Sequence, residues 1–277
     1  MSKNMKSNDA SRTRRAMVGN KLSFSAAEAY KLLRTNVMFS LPDEENCRVF
    51  GMTSSVQGEG KSTTAINLAY TIAESDKRVL LIEMDMRLPV MHKALPIAKT
   101  PGLSNLLVGK STPSEAVQKS GIQENLYVLT AGDLPPNPSE LLSSERMRAL
   151  LESFKLRFDY IICDLPPVTV VSDALTIAPL LSGMIVTVRS GYTDRRALDM
   201  TVRQLEFTQV KILGFVMTFA DVLESGGKKY GKYGKKKYGS YQYDYGYYAA
   251  AEQRRREEER RSNNVPSQAQ EKEPAAK

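Results

Sequence analysis

The chain has 277 residues, of which 42% are hydrophobic, and it carries a formal net charge of +8. This length and apolar content suffice for one large domain with tails or for two small domains. No apolar run approaches the roughly 18 residues of a membrane-spanning helix, and no apolar segment follows the basic N-terminus as it would in a signal peptide.

The positive charge lies at the two ends of the chain. Residues 1–21 contribute +5, residues 226–248 contribute +5 and residues 249–277 contribute +1, which leaves −3 for residues 22–225. Because the central part is mildly acidic, no nucleic acid partner is expected. We predict a disordered basic leader (1–21), a folded domain (22–225), a flexible segment (226–248) and a charged end that is disordered or marginally helical (249–277).

The first predicted elements lead to a glycine-bearing loop. Ser23 or Ser25 is a candidate N-cap for a helix that runs to about residue 40. A short apolar strand over residues 47–53 precedes the loop, and an apolar-periodic helix over residues 61–75 follows it. This order of strand, loop and helix is the context that a phosphate-binding loop requires.

The loop SSVQGEGKST, residues 54–63, has the pattern of such a phosphate-binding loop, except that Ser55 stands where the strict motif has Gly. Glycines let backbone N–H groups curl around an anion, and the N-terminus of the next helix adds partial positive charge. Lys61 is predicted to reach the β- and γ-phosphates of a nucleotide, and Ser62 to ligate Mg²⁺. The predicted nucleotide-binding residues are Ser55, Gln57, Gly58, Glu59, Gly60, Lys61, Ser62 and Thr63.

A buried strand with acidic residues at its end comes next. Residues 79–82 are continuously apolar, which is typical of a strand covered on both faces of a parallel sheet. Glu83, Asp85 and Arg87 are spaced by two and share one face wherever the segment stays extended. Ligands of open parallel sheets bind at the carboxyl ends of the strands, so these side chains point to a Mg-nucleotide.

Strands and helices continue to alternate through the rest of the domain. The predicted elements are a short helix after Pro113, strands over 126–130, 159–164, 183–189 and 211–219, and helices over about 139–158 and 194–208. Asp164 ends an apolar strand just before a Pro–Pro turn, which is the pattern of a Walker B acid. Cys47 and Cys163 lie in apolar runs and are expected to be buried free thiols. The predicted fold is α/β, a doubly wound, mostly parallel sheet flanked by helices.

The composition changes abruptly after residue 226, where tyrosines alternate with glycines and six lysines. With almost no aliphatic residues, this segment is not expected to form a core. Its tyrosines are Tyr230, Tyr233, Tyr238, Tyr241, Tyr243, Tyr245, Tyr247 and Tyr248. Taken alone, it also fits a low-complexity segment that binds nucleic acid or self-associates through Tyr and Lys.

Together these segments resemble the bacterial tyrosine kinases, and more closely the soluble cytoplasmic kinases of capsule or exopolysaccharide systems in Gram-positive bacteria. The phosphate loop, residues 80–87 and residues 161–167 are similar to the Walker A, A′ and B motifs of that family. The loop GDLPPNPSELL, residues 132–142, and the tyrosine-rich end also match. The resemblance implies a P-loop NTPase fold of the deviant Walker A type.

The resemblance also implies a reaction: autophosphorylation of the C-terminal tyrosines with ATP and Mg²⁺, between subunits of a ring. By position, Lys61 binds the phosphates, while Ser62 and Asp85 hold Mg²⁺ and Asp164 does so directly or through water. Glu83 stands where the family usually has Asp and is the candidate base for the tyrosine hydroxyl. Arg87 is expected to add positive charge beside the phosphates.

Oligomerisation and partners follow from the same resemblance. Glu28, Lys31 and Arg34 resemble a Glu-x-x-Arg-x-x-Arg oligomerisation motif, in which Lys31 replaces a bidentate guanidinium. The alternative for these residues is a solvated helix face. A separate membrane adaptor is expected to activate the kinase and to place it at the inner face of the membrane, with protein tyrosines as substrates.

Two other functions stay open. A partition- or septum-positioning-type ATPase switch shares the fold but carries an early lysine in its phosphate loop, and the corresponding residue here is Val56. The substitutions at Glu83 and Lys31 leave room for a non-catalytic scaffold that binds partners in a nucleotide-dependent way.

Overall fold

The computed structural model describes residues 18–41 and 47–220. Its strands are β1 (Arg48–Ser54), β2 (Val79–Glu83), β3 (Val117–Lys119), β4 (Leu126–Leu129), β5 (Tyr160–Asp164), β6 (Gly183–Arg189) and β7 (Ile212–Thr218). Its α-helices are α1 (Phe24–Ser40), α2 (Lys61–Ala73), α3 (Met91–Ala94), α4 (Leu103–Leu107), α5 (Pro113–Ala116), α6 (Pro138–Ser143), α7 (Glu145–Lys155), α8 (Asp173–Ile177) and α9 (Arg195–Phe207). No helix in this part of the chain is long and apolar enough to cross a membrane.

The described strands form one sheet in the order β3-β4-β2-β5-β1-β6-β7. β3 is antiparallel to β4, and the other neighbouring pairs are parallel. The predicted doubly wound, mostly parallel α/β fold is confirmed. Because β2, β5 and β1 are neighbours, the segments that follow Glu83, Asp164 and Ser54 meet at one edge of the sheet.

Continuous apolar strands form the centre of the molecule because both faces of the sheet are covered. On β5, Ile161 and Cys163 pack into one hydrophobic cluster, while Tyr160 and Ile162 pack into another. This alternation is the two-residue period of a strand that is buried on both faces. Cys47 and Cys163 are both buried and neither forms a disulfide, as predicted.

The structure differs from the sequence prediction at the start of the domain. Residues 18–21, expected to belong to a disordered leader, include a short 3₁₀ helix, Gly19–Lys21, with Val18 and Gly19 buried. The amide of Gly19 donates to the Asn67 side chain of α2 at 3.0 Å, a partner that sequence periodicity does not reveal. Residues 18–22 and 27–220 form one compact unit. Residues 23–26 belong to a second unit, and within them the amide of Ala26 donates to Ser23 Oγ at 3.3 Å.

One predicted helix is divided in the structure, and β2 ends before Asp85. The helix expected over 139–158 is divided into α6 and α7, because Ser144 is extended and its hydroxyl accepts a hydrogen bond from the amide of Met147. That bond makes Ser144 the N-cap of α7. β2 ends at Glu83, so Glu83, Asp85 and Arg87 do not form one row along an extended strand.

Candidate active site

The phosphate loop joins the end of β1 to the start of α2. Gly58 and Gly60 have φ angles of 86° and 83°, a left-handed conformation that glycine adopts without strain. Gly60 precedes the first residue of α2, and its carbonyl accepts from the amide of Thr64 at 2.9 Å. The strand–loop–helix order that the sequence predicts is therefore present, with the amides of the α2 N-terminus beside the loop.

The Lys61 ammonium lies at the centre of a group of oxygen atoms. It is 2.9 Å from Asp164 Oδ1, 3.6 Å from Asp85 Oδ2 and 3.3 Å from Ser62 Oγ. Lys61 and Asp85 are each only 8% exposed, and Asp164 is fully buried. The structure thus brings together the predicted phosphate-binding lysine and the three predicted Mg²⁺ ligands.

One carboxylate oxygen of Asp164 has no hydrogen-bond partner among the described residues. Oδ1 binds Lys61, whereas Oδ2 is buried and accepts no hydrogen bond from the described residues. Burial raises the pKa of Asp164, although the Lys61 ammonium and the nearby Ser62 hydroxyl act to lower it. A buried carboxylate oxygen that lacks a donor is suited to a cation.

The donor set fits Mg²⁺. Ser62, Asp85 and Asp164 offer one hydroxyl and two carboxylates, the hard oxygen ligands that Mg²⁺ uses when it also binds substrate phosphates. No group of three His, Cys, Asp or Glu side chains with the geometry of a metal site exists in residues 18–41 and 47–220. The site therefore suits an ion shared with a phosphate chain better than an ion caged by protein alone.

Glu83 is occupied by backbone amides. Its Oε1 accepts from the amides of Val90 (2.5 Å) and Met91 (2.7 Å), and its Oε2 accepts from Ala131 (3.2 Å). The residue is 1% exposed; burial raises its pKa, and these three hydrogen bonds oppose that rise. In this conformation the carboxylate joins the segment after β2 to the segment after β4, and no oxygen is turned to solvent.

Arg87 is held by an acid that the sequence analysis did not identify. Its Nε and Nη2 donate to the two carboxylate oxygens of Asp173 at 2.9 and 3.0 Å, and Ser139 Oγ also donates to Asp173. Asp173 is fully buried, whereas 42% of the Arg87 side chain is exposed. Burial acts to raise the pKa of Asp173, yet the bonds from Arg87 and Ser139 outweigh it and the pKa lies below its ordinary value.

Comparison with known proteins identifies the family. An AAA domain family matches residues 48–207. The chain is 39% identical over 210 residues to the tyrosine-protein kinase YwqD of Bacillus subtilis, covering 76% of this chain and 87% of that one. It is 33% identical to the tyrosine-protein kinase CpsD of Streptococcus agalactiae, covering 81% and 97%. The chain belongs to the bacterial tyrosine kinase family.

A solved structure supports the same family. The kinase domain of the Escherichia coli tyrosine kinase ETK superposes with a TM-score of 0.68 at 32% identity, covering 79% of this chain and 84% of that domain. The chain matches only 26% of the length of the whole E. coli etk protein, so that likeness concerns the kinase domain. The predicted family and enzyme class, a protein-tyrosine kinase, are confirmed.

Several of the remaining loop residues of the kinase bind other groups of the protein through a carboxylate or a backbone carbonyl. Ser55 is buried and its hydroxyl has no partner within the described part of the chain. The Glu59 side chain is 1% exposed; it accepts from the amide of Val56 at 3.0 Å and from the hydroxyl of Thr193. The carbonyls of Gln57, Gly58 and Glu59 accept from side chains of Tyr192, Arg189 and Thr218. The nucleotide-binding roles of the loop residues stay predictions.

The predicted oligomerisation residues lie on α1 with different surroundings. Glu28 and Lys31 form an ion pair of 2.7 Å at the surface. Arg34 Nη1 donates to the carbonyl of Thr71, near the end of α2, at 2.8 Å. Arg34 therefore has an intramolecular role, while the role of all three residues in oligomerisation stays a prediction. The predicted phosphoacceptor tyrosines, between positions 230 and 248, lie outside the described residues.

Several residues around the loop were missed by the sequence analysis. Asp173 stands at the start of a helix, where an acid usually reads as a capping residue, and Ser139 lies in the GDLPPNPSELL loop that the family resemblance singled out. Arg189 and Thr218 end two strands that carry no recognised motif. For Arg189 and Thr218, the signal in the sequence was their position at the carboxyl ends of predicted parallel strands, where ligands bind.

Proposed function

We propose that this kinase transfers the γ-phosphoryl group of Mg-ATP to tyrosine hydroxyls, including those of its own C-terminal segment. The observation that carries the proposal is the Lys61 ammonium among Ser62, Asp85 and Asp164 at the start of α2. A cation for phosphates and three oxygen ligands for a metal are thus already assembled beside the glycine loop.

Phosphoryl transfer requires positioning and charge neutralisation more than covalent chemistry from the protein. Mg²⁺, when held by Ser62, Asp85 and Asp164, supplies charge neutralisation to the phosphates. The loop amides bind the phosphate oxygens, and Lys61 exchanges its contact with Asp164 for a contact with the phosphates. Arg87 stays fixed by Asp173 and keeps its unused N–H groups at the rim of the site.

The proposed base, Glu83, is bound by three backbone amides in this structure. As a base it would have to release the amides of Val90, Met91 and Ala131, which its carboxylate binds in this structure. A loose transition state depends more on positioning and charge than on a base, so the other site residues would still contribute to transfer while Glu83 stays bound. Glu83→Gln tests the point: a base predicts a rate loss at unchanged ATP affinity, and a purely structural anchor predicts a lower unfolding temperature.

We further propose that the tyrosines are modified between subunits of a ring and that the cycle limits itself. Each phosphate adds about −1.5 to −2 charge. Eight phosphates would change residues 226–248 from +5 to about −7 to −11, so that modified segments repel one another and the mildly acidic domain. Light scattering tests this idea, since multiply phosphorylated chains should form smaller particles than unmodified chains.

The biological setting is proposed from the family alone. A separate membrane adaptor would activate the kinase at the inner face of the membrane, and the cycle would regulate capsule or exopolysaccharide synthesis. Co-purification of the full chain with a membrane protein from its own cells tests the adaptor, and loss of polymer in a Lys61→Met strain tests the pathway.

Mass spectrometry of the full chain after incubation with Mg-ATP tests the central proposal. We expect phosphotyrosine between positions 230 and 248 in the wild type and none in Lys61→Met. Lys110→Met, which removes an exposed lysine from a turn remote in sequence from the loop, should behave as the wild type. A wild-type chain that binds Mg-ATP without forming phosphotyrosine would refute autophosphorylation of the C-terminal segment by the chain alone.

That last result would support a second candidate, a scaffold that binds partners in a nucleotide-dependent way. The observation that favours it is the engagement of Glu83 by three amides, which leaves the predicted base without a free oxygen. For a scaffold, Lys61→Met should weaken nucleotide-dependent partner binding although no tyrosine is modified in the wild type.

A further inference from the structure

Three consecutive carbonyls of the phosphate loop each accept a hydrogen bond from a side chain at or just after the carboxyl end of β6 or β7. Tyr192 Oη donates to the carbonyl of Gln57 at 3.2 Å. Arg189 Nη1 donates to Gly58 at 3.1 Å, and Thr218 Oγ1 donates to Glu59 at 2.7 Å. Arg189 is the last residue of β6, Thr218 is the last residue of β7, and Tyr192 lies three residues after β6. No sequence motif was recognised at these positions.

Arg189 is the most constrained of these donors. Its guanidinium carbon lies 4.7 Å from the centre of the Tyr192 ring and 4.2 Å from the centre of the Phe219 ring. Its backbone amide donates to Thr193 Oγ1 at 2.8 Å, and that hydroxyl in turn donates to the Glu59 carboxylate. Two aromatic faces and a fixed backbone therefore hold the guanidinium against the loop.

Fixing these carbonyls also fixes the neighbouring amides. In a planar trans peptide unit, the carbonyl of one residue and the N–H of the next point in opposite directions. When the carbonyls of residues 57, 58 and 59 are held toward β6 and β7, the N–H groups of Gly58, Glu59 and Gly60 are turned the other way. Successive N–H groups that converge in this manner form an anion-binding concavity.

The Glu59 side chain fits the same arrangement. Its carboxylate is buried and accepts hydrogen bonds from the Val56 amide and the Thr193 hydroxyl. Because Thr193 Oγ1 also accepts from the amide of Arg189, this contact ties the loop to the segment that carries Arg189.

We propose that Arg189 is a positioning residue for phosphate binding, assisted by Tyr192 and Thr218. It acts through the loop backbone: it orients the amides that receive the phosphates. The proposal rests on the nucleotide-binding function proposed above, and it assigns the ends of β6 and β7 to the binding machinery. These strands contribute no side chain to the group around Lys61, so their effect should be on binding rather than on the chemical step.

The test uses Arg189→Lys in the full chain, a change that keeps the charge but loses the planar fork. We expect the affinity for Mg-ATP and for inorganic triphosphate, measured by calorimetry, to fall together by about tenfold. KM for ATP should rise while kcat stays unchanged, because the transition state and the ground state use the same amides. Arg203→Lys is the matched control, since Arg203 pairs with Asp199 on the exposed surface of α9.

Thr218→Val and Tyr192→Phe keep the shape of each side chain while removing one hydroxyl. If Arg189→Lys lowers the unfolding temperature of the free chain, these two variants carry the test, each with a loss of triphosphate affinity of about threefold. Unchanged triphosphate affinity in all three variants would overturn the proposal. A loss of affinity for ATP without a loss of affinity for triphosphate would also overturn it. In that case these side chains would contact the adenine base instead of positioning the loop.

The same measurements separate this proposal from the kinase proposal. A wild-type chain that binds triphosphate but forms no phosphotyrosine would refute autophosphorylation of the C-terminal segment by the chain alone, and the Arg189→Lys comparison would still decide the positioning role. A wild-type chain that binds neither ATP nor triphosphate would refute both.

Discussion

Asp164 and Asp173 are nine positions apart in the chain and are both fully buried, yet their pKa values move in opposite directions. Asp173 receives two bonds from Arg87 and one from Ser139, so every oxygen is paired. Asp164 is paired through one oxygen to Lys61, and its other oxygen has no partner in the described residues. The pKa of Asp173 lies below its ordinary value and that of Asp164 lies above it.

This difference separates a structural carboxylate from the one that we propose as a metal ligand. Three bonds to Asp173 offset the cost of burying its charge, and they join the segments that follow β2, β4 and β5. The burial of Asp164 is compensated only in part, and in the proposed mechanism a bound metal ion would complete the compensation. A buried acid with an unpaired oxygen therefore marks the site more clearly than a buried acid as such.

The largest effect is expected for Asp164→Asn. This change removes a charge that neutralises the metal, and phosphotyrosine formation should fall on the order of 10²- to 10³-fold. The unfolding free energy should change little, because an incompletely paired buried charge is removed while Lys61 keeps the carboxylate of Asp85 at 3.6 Å. Quantitative phosphotyrosine mass spectrometry and urea unfolding measure the two effects. A large loss of stability would contradict the assignment of Asp164 as the functional member of the pair.

The opposite result is expected for Asp173→Asn. Loss of the carboxylate breaks the bidentate pair with Arg87, and the unfolding free energy should fall by about 1–3 kcal/mol, a moderate value because Arg87 can still be hydrated. Urea unfolding at pH 7 measures it, with the exposed pair variant Asp199→Asn as the control, which should cost well under about 1 kcal/mol. Equal losses for the two variants would mean that Asp173 has no special structural role.

The stabilising effect of Asp173 should depend on pH. Its folded-state pKa lies below its unfolded value, which is about 3.9 for Asp. The contribution is therefore fully present above the unfolded pKa and is lost as the pH falls through the folded-state pKa. Urea unfolding of wild type and Asp173→Asn should give a constant difference from pH 7 to about pH 5, and the two curves should converge below about pH 4. A difference that persists unchanged to pH 3 would exclude this ion pair as its origin.

The smallest effect is expected for Ser139→Ala. This change removes one hydrogen bond from Asp173 but leaves the pair with Arg87, so the unfolding free energy should fall by about 1 kcal/mol. Ser143→Ala, whose hydroxyl bonds to a nearby helix carbonyl on the surface, is the control and should be close to neutral. If Ser139→Ala cost as much as Asp173→Asn, the hydroxyl rather than the guanidinium would be the main partner of the acid.

Sequence reasoning succeeded where the physical signal is local. The strand, loop and helix around Lys61 are encoded within about 25 consecutive residues by apolar periodicity and glycine, and the structure has them in place. It was wrong where a single side chain interrupts a pattern, as at Ser144, which caps α7 and divides a helix that apolar spacing made continuous. It also missed the short β3, because three residues carry no periodic signal.

The partners of the site residues were outside the reach of sequence reasoning. Arg87 and Asp173 are 86 positions apart, and Gly58 and Arg189 are 131 apart. The order of the strands decides which segments meet, and hydrophobic alternation reveals that strands exist without revealing their order. The spacing of Glu83, Asp85 and Arg87 predicted one shared face if the segment stayed extended, but β2 ends at Glu83. The three side chains therefore bind different groups: backbone amides, Lys61 and Asp173, respectively.

The sequence by itself thus determined the α/β fold, the phosphate loop and the family of this kinase, since each depends on residues close together in the chain. Only the tertiary structure decided that Glu83 binds amides, that Arg87 is paired with Asp173, and that β6 and β7 hold the loop carbonyls. The reason is physical: apolar burial is encoded by local period, but a hydrogen bond exists only between the particular groups that the folded chain brings within about 3 Å.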